Sequence, residues 1–147
     1  MIEILRMRNP AALSIPEIEK LVDDAFGNVT NRAARNHLPE SIQDANVGVF
    51  LARLGSEWKG LAWVRNSTRE DDPSAVVLHF FCRKAGRGVR EALVGAVVDF
   101  AKGGGMETLM AWDMNRKARA FQRIFKSAGP SKEVVRAYEF DLSQAEG

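Results

Sequence analysis

The chain has 147 residues, a length that predicts one domain able to bury a core of its own. Its composition, 46% hydrophobic and 27% charged, is that of a soluble globular protein, and a net charge of +2 is too small to indicate a dedicated nucleic-acid binder. The single cysteine, Cys82, excludes an internal disulfide and a cysteine-based metal site.

The first half of the chain predicts a strand, two helices and a hairpin. Ser14 to Glu17 has the spacing of a capping box, Pro16 suits a first helical position, and Gly27 suits a helix end. The predicted elements are a strand over Ile2 to Met7, a helix ending at Gly27, a short helix over Thr30 to Leu38, and the two strands of an antiparallel hairpin, Val47 to Leu54 and Trp58 to Arg65.

The second half alternates strands with helices. Ala75 to Cys82 is an apolar run of the kind that is buried on both faces of a sheet, and Gly103 to Gly105 ends the helix that follows it. The predicted elements are strands over Ala75 to Cys82, Thr108 to Trp112 and Val134 to Leu142, and helices over Val89 to Lys102 and Arg116 to Ser127. This order predicts a single α/β (α+β) domain over residues 1–147, with a mixed, mostly antiparallel central sheet and helices on both faces.

A basic turn with two glycines joins the apolar strand to the next helix. Residues 83–88 read Arg-Lys-Ala-Gly-Arg-Gly. Glycines let a backbone approach a ligand closely, and the first N–H groups of a helix lack intrahelical partners. Together with the arginine charges, these features favour an anion-binding site. The alternative is a plain glycine turn whose charges are solvated.

This segment and its place in the chain resemble the GCN5-related N-acetyltransferase (GNAT) superfamily. The acyl-CoA signature of that family is Gln/Arg-x-x-Gly-x-Gly/Ala, and Arg83 to Gly88 satisfies each fixed position. Asn115 to Ala118 and Phe125 to Gly129 are similar to a second family segment on a late helix. The resemblance covers Ile2 to Leu142 and implies an acetyl-CoA-dependent N-acetyltransferase that acts on a primary amine of a small molecule or protein.

The resemblance also implies how acetyl-CoA or CoA would be held. Backbone N–H groups at the helix start would bind the pyrophosphate, the end of the preceding strand would pair with the pantetheine arm, and basic side chains would add charge. Asn115 would contact CoA, with capping of the late helix as an equal alternative. The expected cofactor-binding residues are Phe81, Cys82, Arg83, Lys84, Gly86, Arg87, Gly88, Val89 and Asn115.

Amine acetylation requires a base that takes a proton from the amine before it attacks the thioester. His79 is the one titratable side chain inside the central strand before Cys82, and imidazole has a suitable pKa, so His79 is the candidate catalytic residue. The alternative is a histidine that makes a hydrogen bond within a packed strand. Asp113 has the same kind of ambiguity, as a base or as a helix cap. No metal site is expected.

Two departures from the family pattern weaken the case for catalysis. Phe125 takes the position at which many family members carry a Tyr that protonates the leaving thiolate. The residues after Gly129 suffice for one final strand, where the family has two. Both features are similar to reduced, phage virion-type members of the fold. The alternative function is therefore a CoA-binding or degenerate structural or interaction protein without catalysis.

The sequence also sets expectations about partners and location. A sheet edge left open by the short ending would invite pairing, so a homodimer is a hypothesis. The first residues are charged where a secretion signal is apolar, and no segment reaches membrane-spanning length, so we expect a cytoplasmic protein without a membrane partner. Nucleic acid is not expected as a partner, and the sequence leaves the amine acceptor open.

Overall fold

The computed structural model describes residues 1–27, 32–84, 87–111 and 125–126. The predicted strand over Val134 to Leu142 lies outside the described residues, as does the predicted helix over Arg116 to Ser127 apart from residues 125 and 126. The elements in chain order are β1 (Ile2–Arg6), a short 3-10 helix (Pro10–Ser14), α1 (Pro16–Ala25), α2 (Arg32–Ile42), β2 (Val47–Leu54), β3 (Glu57–Asn66), β4 (Ser74–Cys82), α3 (Arg87–Gly103) and β5 (Thr108–Ala111).

The strands form one mixed sheet in the order β1-β2-β3-β4-β5. Neighbouring strands are antiparallel from β1 to β4, whereas β4 and β5 are parallel and are joined through α3. The predicted hairpin of β2 and β3 is present, and Gly55 has a φ of 63° in its turn, a conformation that glycine adopts without strain. The sheet therefore confirms the predicted mixed, mostly antiparallel architecture.

Helices cover both faces of this sheet because β2 and β3 alternate apolar side chains between the faces. We call the side of α1 and α2 the α1 face and the opposite side, covered by α3, the α3 face. On the α1 face, Leu21 and Leu38 pack with Leu61. On the α3 face, Leu93 packs with Val64. The sheet lies between two cores, as the sequence predicts.

The start of α1 differs from the predicted capping box. Ser14 ends the 3-10 helix, and its hydroxyl donates to the carbonyl of Ala11 at 2.7 Å instead of capping α1. Ile15 is the residue before α1 and supplies no side-chain cap, while Pro16 takes the first helical position as predicted. The capping prediction is wrong because a preceding helical turn, begun by Pro10, already uses the serine.

The end of α3 is set by the glycines that the sequence singles out. Gly105 has a φ of 80°, and the N–H of Gly104 donates to the carbonyl of Phe100 at 3.1 Å. The buried Asn66 amide, from the end of β3, donates to the same carbonyl at 3.3 Å.

Within the described ranges, no helix has the length and apolar character needed to cross a bilayer.

Candidate functional site

The central strand β4 consists of two unlike halves. The proximal half, Ser74 to Val77, pairs with β3 on one side and with β5 on the other, where Val77 is the last residue in register, opposite Ala111. The distal half, Leu78 to Cys82, pairs with β3 and, within the described part of the chain, with no strand on its other side. Among the described residues, this side of the distal half, which we call the open edge, therefore has backbone amides and carbonyls without a strand partner.

A β-bulge separates the two halves. Val77 lies opposite Val64 and His79 lies opposite Trp63, so Leu78 is an extra residue between them, with 37% of its surface exposed. The bulge shifts the alternation of side chains along the strand. His79 and Phe81 consequently lie on the α1 face.

The bulge also explains why one prediction about this strand is wrong. The apolar run was expected to be buried on both faces along its whole length, but every residue from Leu78 to Cys82 is exposed or only half-buried. Phe80 and Cys82 lie on the α3 face, and both border the core there without being enclosed by it. Among the described residues, these side chains have no strand neighbour on the β5 side that would cover them further.

In the sequence, four residues separate the end of the distal half of β4 from the start of α3. Arg87, Gly88 and Val89 are the first three residues of this helix, so their N–H groups have no intrahelical partner, as predicted. The first turn of α3 contains no acidic residue. By contrast, the first turn of α1 carries Glu17 and Glu19, the usual complement to a helix N-terminus. The start of α3 therefore lacks the negative charge that α1 supplies for itself.

The residues of the basic turn and of the start of α3 differ in their exposure and packing. Lys84 and Arg90 are exposed, whereas Val89 is buried and anchors the helix start in the core of the α3 face. A Cβ at Gly88 would lie 2.6 Å from the Cδ1 of Ile2, so glycine permits a close approach between α3 and β1.

Arg83 turns away from the basic turn. Its Nη1 donates to the carbonyl of Trp58 at 2.8 Å, its Nε donates to the Oδ2 of Asp24 at 3.1 Å, and Nη2 donates to the same carboxylate oxygen. Its backbone N–H donates to the carbonyl of Lys59 at 2.7 Å. The sequence predicts that Arg83 contributes charge at the turn, and in this structure its guanidinium is paired with the carboxylate of Asp24 on α1.

His79 is held by the end of α1. Its Nε2 lies 2.7 Å from the carbonyl oxygen of Ala25, and its ring stacks on Phe26 with centroids 4.2 Å apart. Because a carbonyl only accepts, Nε2 carries the proton and donates it. Burial lowers the pKa of His79, and the hydrogen bond to Ala25 opposes that shift only in part. At neutral pH the ring is uncharged, with Nδ1 as its basic nitrogen.

Cys82 has the environment of a packing residue. It is half-buried beside Gly60 on β3, and burial raises the pKa of its thiol, against an opposing effect of the Arg90 charge. A raised pKa keeps the sulfur protonated and weakly nucleophilic at neutral pH.

Phe125 occupies the core of the α3 face. It is 9% exposed, and its ring meets that of Phe80, from the distal half of β4, edge to face with centroids 5.4 Å apart. A phenyl ring here adds no donor or acceptor to the site.

Three predicted site positions cannot be placed in the structure. Gly86, Asp113 and Asn115 lie outside the described residues. In the described ranges, no three histidine, cysteine, aspartate or glutamate residues cluster closely enough to hold a metal ion.

Solved structures share this fold across almost the whole chain. Aminoglycoside acetyltransferase AAC(6')-Iy, in complex with the bisubstrate analog CoA-S-monomethyl-acetylneamine, has a TM-score of 0.73 and 18% identity over 96% of this chain and 99% of its own. Aminoglycoside 6'-N-acetyltransferase AAC(6')-Ih from Acinetobacter baumannii has a TM-score of 0.72 and 14% identity, with 97% and 99% covered. The chain has the GNAT fold.

A third solved structure with the GNAT fold is of an enzyme whose name refers to a protein acceptor. Ribosomal-protein-alanine N-acetyltransferase from Brucella melitensis biovar Abortus 2308 has a TM-score of 0.66 and 15% identity over 95% of this chain and 99% of its own. Neither the models of known protein families nor the sequences of curated proteins match this chain. The GNAT fold is thus established by structure at identities too low to carry over a substrate.

Sequence reasoning located the turn and the strand that precedes it, but missed two features of the GNAT-fold site. The bulge at Leu78 has no composition signal, because the apolar run is unbroken on either side of it. Asp24 gives no signal either, since it is one of several acidic residues on the polar side of α1. Both become visible only when β4 is placed against its neighbours.

Proposed function

We propose that this protein is an acetyl-CoA-dependent N-acetyltransferase that transfers an acetyl group to a primary amine. The observation that carries the proposal is the continuity of two binding surfaces, the open edge of the distal half of β4 and the start of α3. They are joined by the turn from Arg83 to Gly88, within a GNAT fold. A single extended ligand with hydrogen-bonding groups at one end and phosphates at the other would contact both.

The chemistry of these surfaces fits CoA. Pantetheine carries amide groups, which can pair with the free amides and carbonyls along Leu78 to Cys82 as an added strand would. The N–H groups of Arg87, Gly88 and Val89, at the start of a helix whose first turn has no acidic residue, suit the pyrophosphate. Another structure of AAC(6')-Iy, with a TM-score of 0.72, is described as a complex with CoA, which supports this assignment.

In this proposal acetyl-CoA supplies the acetyl group as a reactive thioester. The open edge of β4 orients the ligand, and the start of α3 fixes its phosphates. The chain therefore contributes to the reaction mainly by positioning the thioester, without forming a covalent bond to it. Because Nε2 of His79 is committed to Ala25, only Nδ1 remains as a base. We assign His79 the role of holding α1 against β4, with proton removal by Nδ1 as the alternative that a pH–rate profile would reveal.

The acceptor is a primary amine of a small molecule or of a protein. The structures named above, two of aminoglycoside acetyltransferases and one of a ribosomal-protein-alanine acetyltransferase, support either class. The α1 face is the side on which an acceptor would meet the proposed ligand edge, because the distal half of β4 presents His79 and Phe81 there.

Charge reversal at the start of α3 tests the proposal. In Arg87→Glu, we expect CoA to bind at least about tenfold more weakly by isothermal titration calorimetry, since a carboxylate there repels the pyrophosphate. The thermal midpoint should stay the same or rise, because an acidic residue in the first turn stabilises a helix. Arg69→Glu makes the same change of net charge on an exposed loop and should bind CoA as the wild type does.

The wild type decides whether the proposal stands. We expect it to bind CoA and acetyl-CoA, and to release free thiol when acetyl-CoA is mixed with a panel of polyamines, aminoglycosides and lysine peptides. Absence of CoA binding at millimolar concentration would overturn the proposal.

One observation favours a second candidate, a CoA-binding or degenerate structural or interaction protein of the phage virion type. The residue expected at the position of the family's Tyr is Phe125, which is buried against Phe80 and has no hydroxyl to protonate a thiolate. A thiol of ordinary pKa, about 8.5, still leaves as the thiolate without that help. Binding of CoA with no turnover across the amine panel would favour the second candidate, and robust acetylation would exclude it.

A further inference from the structure

Among the described strands, only β3 pairs with the distal half of β4. Beyond Val77 it has no strand partner toward β5 in the described part of the chain, yet it must be well positioned if a ligand is to add to its edge. The end of α1 contacts it at two places. Ala25 and Phe26 contact His79, and Asp24 contacts Arg83, four residues further along.

The ion pair of Asp24 and Arg83 is well formed for a partly exposed pair. The guanidinium uses Nε and Nη2 on one carboxylate oxygen and Nη1 on the carbonyl of Trp58. Three donor groups in fixed directions leave the side chain a single orientation. Only 28% of the Arg83 side chain and 46% of the Asp24 side chain are exposed.

The direction of Arg83 is also informative. The side chain extends to α1, whereas α3 begins on the opposite face, where Val89 is buried. Its charge is balanced by Asp24 before it can act at the turn. Among the described side chains near the turn, Lys84 and Arg90 are exposed and remain to attract phosphate there.

We propose that Arg83 is a positioning residue, which with Asp24 ties the distal half of β4 and the start of the basic turn to α1, so that CoA meets a preset edge. This inference rests on the proposed CoA-binding function. It differs from a direct contact of Arg83 with phosphate, which the sequence motif suggests. If Arg83 contacts phosphate directly, Asp24 competes with the ligand for the Arg83 guanidinium. If Arg83 is a positioning residue, Asp24 assists CoA binding by holding Arg83 in place.

Asp24→Asn separates the two cases because they predict opposite signs. With positioning, CoA binds about three- to tenfold more weakly, as measured by isothermal titration calorimetry, since an unanchored edge must be ordered at binding. Arg83→Gln shows a similar loss, and the double variant is no weaker than either single one, because both changes break one contact. Asp24→Glu should restore most of the affinity.

Asp23→Asn is the matched control. Asp23 is the preceding residue of α1, similarly exposed at 51%, and it forms an ion pair with Arg35 of α2 instead of with β4. Its variant should bind CoA within about twofold of the wild type, because its loss leaves β4 untouched. The dependence of affinity on salt should be the same in Arg83→Gln and wild type, since no charge–phosphate contact is lost.

Tighter or unchanged CoA binding by Asp24→Asn, together with a weaker salt dependence in Arg83→Gln, would overturn the inference in favour of direct contact. Amide hydrogen exchange of the unliganded protein gives a second readout. Residues 78–82 should exchange faster in Asp24→Asn and not in Asp23→Asn. If the wild type binds no CoA, the proposed function fails, whereas unchanged exchange in Asp24→Asn sinks the positioning role alone.

Discussion

The two halves of β4 share one strand and one apolar composition, but they have different surroundings. The proximal half has strand neighbours on both sides, and Ala75 and Val77 within it are buried almost completely. The distal half follows a bulge, pairs with β3 alone among the described strands, and is exposed or half-buried throughout. The first half is enclosed within the sheet, and the second is the part to whose edge we propose that a ligand adds.

This difference shows how a fold keeps an open edge without losing order. A strand edge in mid-sheet is an unsatisfied surface, and it would normally pair or collapse. Here the end of α1 holds His79 of the distal half and Arg83, the residue after it, on the α1 face, so this support does not use the open edge. The support for the distal half comes from the α1 face, whereas the proposed ligand would add at the open edge.

The largest expected effect is a test of the comparison itself. Val77→Asp places a charge in a closed core and should cost more than about 4 kcal/mol, enough to prevent folding or nearly so. Leu78→Asp, one residue away on the bulge, should cost about 1 kcal/mol, because that side chain already reaches solvent. Urea unfolding followed by far-UV circular dichroism measures both. Equal losses would mean that the two halves are not distinct.

A smaller effect is expected at the contact between β3 and the distal half. In Gly60→Ala the new Cβ would lie 2.9 Å from the Phe81 carbonyl oxygen and 2.7 Å from the Cδ1 of Leu93. Because a backbone oxygen yields little, the free energy of unfolding should fall by about 1–3 kcal/mol.

Gly95→Ala is the control for that change. It adds the same methyl group to α3 in open space, and it should raise stability by about 0.5–1 kcal/mol through helix propensity. If Gly60→Ala were equally stabilising, the distal half would be free to move away from β3, contrary to the structure.

The smallest expected effect is the pH dependence from His79. Burial holds its pKa in the folded protein below the value of about 6.5 in the unfolded chain, so the unfolded state binds more protons in the interval between them. The corresponding stability is present above pH 6.5 and is lost as the pH falls through that interval. His79→Gln keeps an N–H donor but does not titrate, so the decline should be shallower.

His37→Gln replaces the other of the two histidines, which is exposed on α2, and should follow the wild-type curve. Thermal midpoints recorded from pH 7.5 to pH 5 give the comparison. If the thermal midpoint of His79→Gln fell with pH as steeply as that of the wild type, the result would contradict burial of the His79 ring by α1.

Much of the fold could be predicted from the sequence because it depends on local patterns. Alternation marked β2 and β3, helical periodicity marked α1 and α3, and the glycines at 103–105 marked the end of α3. The order of these elements predicted a mixed sheet with helices on both faces, and the strand–turn–helix at Arg83 to Gly88 located the candidate anion site. Each of these signals lies within a few residues of the structure it specifies.

The tertiary structure alone decided which side of the sheet each site residue faces and which partner it has. The bulge at Leu78 moves His79 to the α1 face, and only the pairing with β3 reveals it. Arg83 reaches Asp24 across 59 positions of sequence, which no local pattern encodes. Composition and periodicity depend on residues that are close together in the sequence. The net charge at the basic turn and the hydrogen bonding of His79 depend instead on residues that folding brings together.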